Sequence, residues 1–251
     1  MKIKNDPRKK YIFAGGIVVA VFFLAFGVIS QAGYVFSGPY LVRGGVLEIT
    51  NAVPNSIVFI DNRRVGRIQN NGSGEFIGIK PGTRNVLVAQ SERWPWILDF
   101  DISAGSKVTV VPLQVLEETD GEILSTITDP IRIRAEQEIA QYREPTRIQP
   151  LNRANVFVWV EGTSILTQDG DTVRTVFSSA SPIRNVFWYG DRSDAIIVAT
   201  QANVFALDLR ASSIQNFQPI YSGSAPKAVA DPSRSNKIFV NEADQYFSVS
   251  I

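Results

Sequence analysis

Residues Tyr11 to Ile29 read YIFAGGIVVAVFFLAFGVI and hold no charged or amide side chain. As a helix rising 1.5 Å per residue, the stretch spans roughly 28 Å, about the thickness of a bilayer's hydrocarbon core. Lipid offers no partner to backbone N–H and C=O groups, so only a helix or a closed barrel crosses it. One isolated apolar run cannot close a barrel, and the spacing predicts a single transmembrane helix over 11–29. The ten residues before it, MKIKNDPRKK, carry five basic side chains against Asp6 alone. No charge then follows the stretch until Arg43. Cationic flanks stay on the cytoplasmic side, so the tail is expected inside and everything after Ile29 outside, as in a single-pass membrane protein. Tyr34, Phe36 and Tyr40 suit the outer headgroup layer. A cleaved signal peptide is the competing reading. Its apolar core is typically shorter, and Ile29-Ser30-Gln31-Ala32 makes a poor small-x-small cleavage site.

Setting the tail aside leaves 20 basic and 23 acidic residues from totals of 25 and 24. That balance gives no broad attraction for nucleic acid, which needs clustered Lys and Arg. Cysteine and histidine are both absent. Disulfides, thiolate chemistry, Ser-His-Asp and Cys-His nucleophilic systems and the usual zinc sites are thereby removed. Carboxylate pairs, Lys, Tyr or oxygen-only metal sites remain open to chemistry.

Gly44 to Leu116 reads as a small all-β unit after a linker over 30–43. GVLEIT, SIVFID, Arg64 to Ile68, Glu75 to Ile79, Thr83 to Val88, Trp96 to Ile102 and Lys107 to Leu113 are strand-like, divided by turn residues. Pro81-Gly82 is expected to form a tight turn between two antiparallel strands, with Val86 and Val88 facing a core. Taken in order, Gly45 to Leu113 resembles the PEGA domain family of small surface-associated β-sandwich modules. The match lies in LEIT, in Pro54 ahead of VFIDNRRVG, in Pro81-Gly82 before Arg84 to Val88, and in the strand ending near Leu113. Of the motif that names the family only Pro54 stands, in Pro54-Asn55-Ser56-Ile57, and Asn62 replaces the usual Gly. The resemblance implies binding or spacing outside a membrane anchor, and it supplies no catalytic residue and no cofactor.

Trp94-Pro95-Trp96 is the most distinctive local feature. In an extended segment the two indoles share a side and can form a platform for a sugar ring. Alternatively they plug the end of a small core, where Trp buries a large area.

Residues 117–145 read as an acidic turn and a short helix linking two domains. Asp129 is expected to cap a helix that starts at Pro130 and ends near Arg143, before Glu144-Pro145. From residue 146 to the end the chain repeats. Val186 to Leu209 falls on Ala228 to Ile251 at an offset of 42 without a gap, matching Ile196 with Ile238 and Phe205 with Phe247. A looser copy about 40 residues earlier puts Val158 on Val198 and Ile165 on Phe205. A period of ~40–45 with short strands resembles β-propeller blades. The chain supplies about two and a half to three blades, fewer than the four that ordinarily close a ring. The expectation is an incomplete β-propeller-like domain whose blades pack as an open wedge, or are covered by a partner, or take missing strands from the junction, where Ile123 to Ile127 or Ile131 to Ile133 could fill a vacant edge. Open blade edges would otherwise invite pairing between copies of the chain. Asp169-Gly170-Asp171 and the pair Asp191 and Asp194 are the densest carboxylates. They lack a calcium loop's alternating ligands and bidentate Glu, and hairpin turns favour Asp and Gly for backbone reasons alone.

The fold class is thus mainly β: a membrane helix, a PEGA-like β-sandwich and an incomplete propeller-like repeat. The function expected is binding or scaffolding in the cell envelope, toward wall polysaccharide, a surface layer or another envelope protein. The alternative is a carboxylate-dependent glycosidase or lyase, which needs two carboxylates across one funnel.

Overall fold

The computed structural model describes residues 33–142, 151–210 and 216–251, with scattered positions between 16 and 28. The chain is mainly β. Gly16, Ile17, Val19 to Val21, Phe23, Leu24, Gly27 and Val28 are helical and exposed, and the rest of Tyr11 to Ile29 lies outside the described residues. Among the described residues no helix is long and apolar enough to cross a membrane.

Within the stretch expected to be linker lies a hairpin, β1 (Tyr34–Ser37) and β2 (Tyr40–Arg43). Two sheets follow. One has the order β6 (Gly74–Ile79), β3 (Gly45–Ile49), β9 (Lys107–Val110), with β3 and β9 parallel. The other has the order β5 (Arg63–Arg67), β4 (Ile57–Ile60), β7 (Gly82–Ala89), β8 (Trp96–Ile102). Leu47 and Ile49 from the first sheet meet Val58, Val86, Val88 and Leu98 from the second in one buried core. Alternate residues point inward because side chains in a strand alternate between faces.

Pro81-Gly82 does not close a hairpin. It carries the chain from β6 in one sheet to β7 in the other. Arg84 fixes this crossover: its Nε donates to the Lys80 carbonyl at 2.8 Å, its Nη2 to the Pro81 carbonyl at 2.7 Å and its Nη1 to Asp61 at 3.1 Å. Gly82 has φ of 112°, a conformation that β-branched residues avoid. Gly82→Val should therefore lower stability by about 1–3 kcal/mol, measured by thermal unfolding, with Gly82→Ala milder.

Beyond the sandwich lie three four-stranded antiparallel sheets. The first is β11 (Leu151–Arg153), β12 (Val156–Glu161), β13 (Ser164–Asp169) and β14 (Thr172–Ser178), in that order. The second is β15 (Asn185–Trp188), β16 (Ala195–Ala199), β17 (Asn203–Asp208) and β18 (Phe217–Ser222). The third is β19 (Lys227–Ala230), β20 (Lys237–Glu242), β21 (Gln245–Ser250) and, as its fourth strand, β10 (Gly121–Ile123). Among the described residues they form no closed barrel or propeller.

The 42-residue repeat is kept in the strand register. Val198 pairs with Phe205 as Val240 pairs with Phe247, and Ile196 with Leu207 as Ile238 with Val249. The earlier copy needs a correction by one residue. The last pair before its turn is Glu161 with Ser164, and the same step in the second sheet is Thr200 with Asn203, so 161 falls on 200 and 164 on 203, an offset of 39. Val158 therefore matches Ile197, not Val198, and Ile165 matches Val204, not Phe205. One residue matters because it exchanges the two faces of a strand.

With that alignment the stacking follows a rule. Val158, Val160 and Ile165 of the first sheet pack on Ile196, Val198, Phe205 and Leu207 of the second. The second sheet's other face, with Ile197, Ala199, Val204 and Ala206, packs on Ala228, Ile238 and Val240 of the third. On the third sheet the position equivalent to Ile197 is Phe239, and it packs on Leu124 and Ala135. Ala135 belongs to α1 (Pro130–Gln141), so this helix lies where a further sheet would otherwise stack. Asp129 caps α1 as expected, its carboxylate accepting from the Ile131 N–H at 2.8 Å. The vacant fourth-strand position is taken by Gly121–Ile123, so of the expected Ile123 to Ile127 only Ile123 is strand, paired with Phe247, and Ile131 and Ile133 are helical and supply no strand. Within the stretch read as a linker, Gly121–Ile123 and Pro130–Gln141 thus furnish the missing strand and the cover of the last sheet.

Sandwich and second sheet are joined by buried polar contacts as well as by their shared core. Trp96 is fully enclosed, and its Nε1 donates to Asp208 at 2.8 Å. Arg210 lies over the Trp96 ring, 4.9 Å from its centroid, and pairs with Asp208 and Asp194. Burial works against the charge of Arg210, yet its hydrogen bond and attraction to Asp208, with the charge of Asp194, raise its pKa. Asn216 bonds both the N–H and the C=O of Ile97, at 2.9 and 2.5 Å. Gln218 likewise bonds the Val115 N–H at 3.0 Å and the Leu113 carbonyl at 2.8 Å. Two side-chain amides here continue the β8 edge and the strand-end segment as a neighbouring strand would.

Candidate functional site

The direction of each strand brings one end of the sandwich together. At that end β3, β7 and β9 begin, while β6 and β8 finish: Gly45 lies opposite Ile79, Val46 opposite Lys107, and Gly82 opposite Ile102. The Asp61-Asn62 turn joins them through Arg84 and through the Asp61 N–H bond to the Asn85 carbonyl at 2.9 Å. The β1–β2 hairpin is seated on this same end. Gly44 N–H donates to the Gly33 carbonyl at 2.7 Å, and Gly105 N–H to the Arg43 carbonyl at 3.1 Å. A side chain at Gly44 would meet the Gly78 backbone at 2.6 Å, so a bare backbone is needed for this approach.

The hairpin exposes Tyr34, Phe36, Tyr40 and Leu41, with Tyr40 at 72 %. Around its base stand exposed Arg43, Arg63 and Lys80. None of the three has an acidic partner among the described residues, whereas Arg84 is tied to Asp61. Three carboxylates stand nearby: Asp61 and Glu75 line one cleft with Arg63 and Lys80, and Asp101 accepts from the Thr83 hydroxyl at 2.5 Å.

Between β5 and β6, which end their sheets on the same side, opens a cleft of about 600 Å³. Ile60, Val65, Phe76, Ile77 and Ile79 give it apolar walls, and its charged lining mixes Arg63, Lys80 and Arg84 with Asp61 and Glu75. Gly66 lets the Phe76 ring reach across, since a Cβ there would stand 2.9 Å from the ring. Both flanking strands are bulged, at Val65 and at Gly78, which blunts strand pairing along these edges.

Trp94 and Trp96 do not form an exposed platform. Trp96 is enclosed and bonded to Asp208, while Trp94 packs partly buried against the same core. This placement is that of core and rim packing, wholly for Trp96 and partly for Trp94. Asp169, Gly170 and Asp171 make the β13–β14 turn. Asp194 is consumed by Arg192 and Arg210, and Asp191 lies in the turn after Gly190. Among the described residues no group of three potential metal ligands comes together.

Two half-buried carboxylates have tuned titration. Lys107, hydrogen-bonded to Glu48 at 2.9 Å, is the first cause holding Glu48 below the usual carboxylate range, and Thr109 the second. The Tyr221 hydroxyl and then the Ser224 N–H do the same for Glu242. Tyr221 in turn is pushed up to about 12 by burial and by Glu242. A lowered folded pKa contributes stability above the ordinary carboxylate range, and this is lost as pH falls through the folded value. For Tyr221 the contribution is full below about 10 and is lost as pH rises through its raised value. Thermal midpoints of wild type and Glu242→Gln should thus differ at neutral pH and converge only as pH falls through the lowered Glu242 value, below the ordinary carboxylate range. A constant gap down to acid pH would contradict the assignment.

Neither a scan against protein-family models nor a search of curated proteins found a match for this chain.

Proposed function

We propose that this is a single-pass membrane protein that presents a PEGA-like sandwich and propeller-like sheets outside the membrane, as a binding or scaffold unit of the cell envelope. The observation that carries the reading is the hairpin. Immediately after the apolar stretch 11–29, the chain exposes Tyr34, Phe36, Tyr40 and Leu41 together, where aromatic rings suit the headgroup layer. The buried Trp96–Asp208–Arg210 contacts support the second half of the proposal, because they hold sandwich and sheets in a fixed relation, as a spacer requires. The three stacked sheets read as blades of an incomplete propeller, ended on one side by α1. The partner expected is an envelope protein or polysaccharide.

Cross-linking in living cells tests this. The full chain, carrying a photoreactive residue at Ser91, should yield covalent adducts with envelope proteins or wall glycan and remain in the membrane fraction. Adducts with cytoplasmic proteins alone, or a chain recovered wholly in soluble extract, would overturn it.

A further inference from the structure

We propose that the hairpin end of the sandwich rests directly on the bilayer surface and that Arg43, Arg63 and Lys80 recognise anionic lipid headgroups there. The inference rests on the membrane-anchored reading above and adds a partner of defined chemistry to it. Two independent features coincide at this end. The exposed aromatic hairpin continues the chain straight from the apolar stretch, so it cannot stray far from the membrane if that stretch is embedded. The three cations come from β2, β5 and the crossover before β7, far apart in sequence, yet strand direction gathers them beside the hairpin.

Among the described residues Arg43, Arg63 and Lys80 have no ion pair, while Arg84 and Asp61 neutralise each other. Arginine presents a planar fork that binds two phosphate oxygens at once, and lysine adds a compact charge. Cations within a Debye length of an anionic surface are attracted to it, and aromatic rings lodge between its headgroups. Contact through both would fix the orientation of the sandwich and, through the Trp96 joint, of the three sheets beyond it. A soluble acidic partner is the competing use of the same cations. The aromatic hairpin at their side favours the lipid surface, since such rings belong where apolar and polar phases meet.

The chain has no cysteine, so single introduced thiols can carry a label. Ala104 lies exposed in the turn after β8 at the hairpin end, and Ser91 lies exposed in the turn after β7 at the far end. The full chain, labelled at Ala104→Cys or Ser91→Cys, is reconstituted into nanodiscs of phosphatidylcholine alone or with phosphatidylglycerol. A quencher attached to lipid headgroups reports proximity. Expected is strong quenching at Ala104 and little at Ser91, more with phosphatidylglycerol and less at high salt. Replacing Arg43, Arg63 and Lys80 by Glu should lower the membrane-facing population by about tenfold or more. These residues are exposed, so folding should survive, as an unchanged thermal midpoint would verify. Equal quenching at both labels, or quenching indifferent to lipid charge and to the substitutions, would overturn the proposal. So would tight binding of an acidic peptide to these cations with no preference for phosphatidylglycerol. A chain that fails to stay in the nanodisc would instead refute the anchor itself, which separates the two failures.

Discussion

Replacing Trp96 by alanine should destabilise the full chain by about 3–5 kcal/mol, among the largest effects of any single substitution in it. The side chain is wholly buried, so its loss leaves a cavity in a core shared by the sandwich and the second sheet. It also strips Asp208 of one donor and uncovers the face on which Arg210 lies. Trp96→Phe keeps most of the volume and loses the hydrogen bond, so about 1–3 kcal/mol is expected. Asp208→Ala should resemble the alanine variant more than the phenylalanine one, because it leaves the buried Trp96 N–H without an acceptor and the Arg210 charge with Asp194 as its remaining carboxylate. Chemical denaturation followed by tryptophan fluorescence checks the order. Equal midpoints for Trp96→Phe and Trp96→Ala would mean that packing contributes nothing beyond the hydrogen bond.

Phe205→Ala is expected to cost about 3–5 kcal/mol, and Phe247→Ala clearly less. The two phenylalanines occupy equivalent register positions, yet their surroundings differ. Phe205 is 2 % exposed and touches two further rings, with centroids 5.1 Å away at Phe177 and 4.2 Å at Phe217. It fills the seam between the first and second sheets. Phe247 is only partly buried, with Tyr221 as its ring neighbour at 5.7 Å. Thermal unfolding of the full chain and both variants measures the difference. A larger loss at Phe247 would contradict the stacking order derived from the repeat.

Much of this architecture could be read from local pattern. The repeat at 42 residues was visible because both copies must bury the same faces, and the strand pairs keep it without a slip. The cap at Asp129 was visible because capping uses only neighbouring residues. The earlier copy lies 39 residues away rather than 40, a one-residue difference that its looser sequence match leaves open and that the pairing of Glu161 with Ser164 fixes. The role of Pro81-Gly82 was misjudged for a related reason. A turn's chemistry shows that the chain bends, while the sheet each arm joins is decided by partners far away.

The joint and the hairpin end lay beyond sequence reading. Trp96 bonds a residue 112 positions later, and Asp208, Arg210, Asn216 and Gln218 look like ordinary turn and strand-end polar residues until the domains dock. Arg43, Arg63 and Lys80 are spaced like scattered surface charges. Their grouping depends on which way β2, β5 and β7 run, and no local signal carries that.

The most direct measurement is thiol accessibility across the membrane. Ser91→Cys and Asn5→Cys are each introduced into the cysteine-free full chain, and a membrane-impermeant maleimide is added to intact cells stripped of any outer wall. The account predicts labelling at Ser91 before lysis and at Asn5 only after it. Labelling at Asn5 in intact cells while Ser91 stays protected would place the β domains inside, and would contradict it.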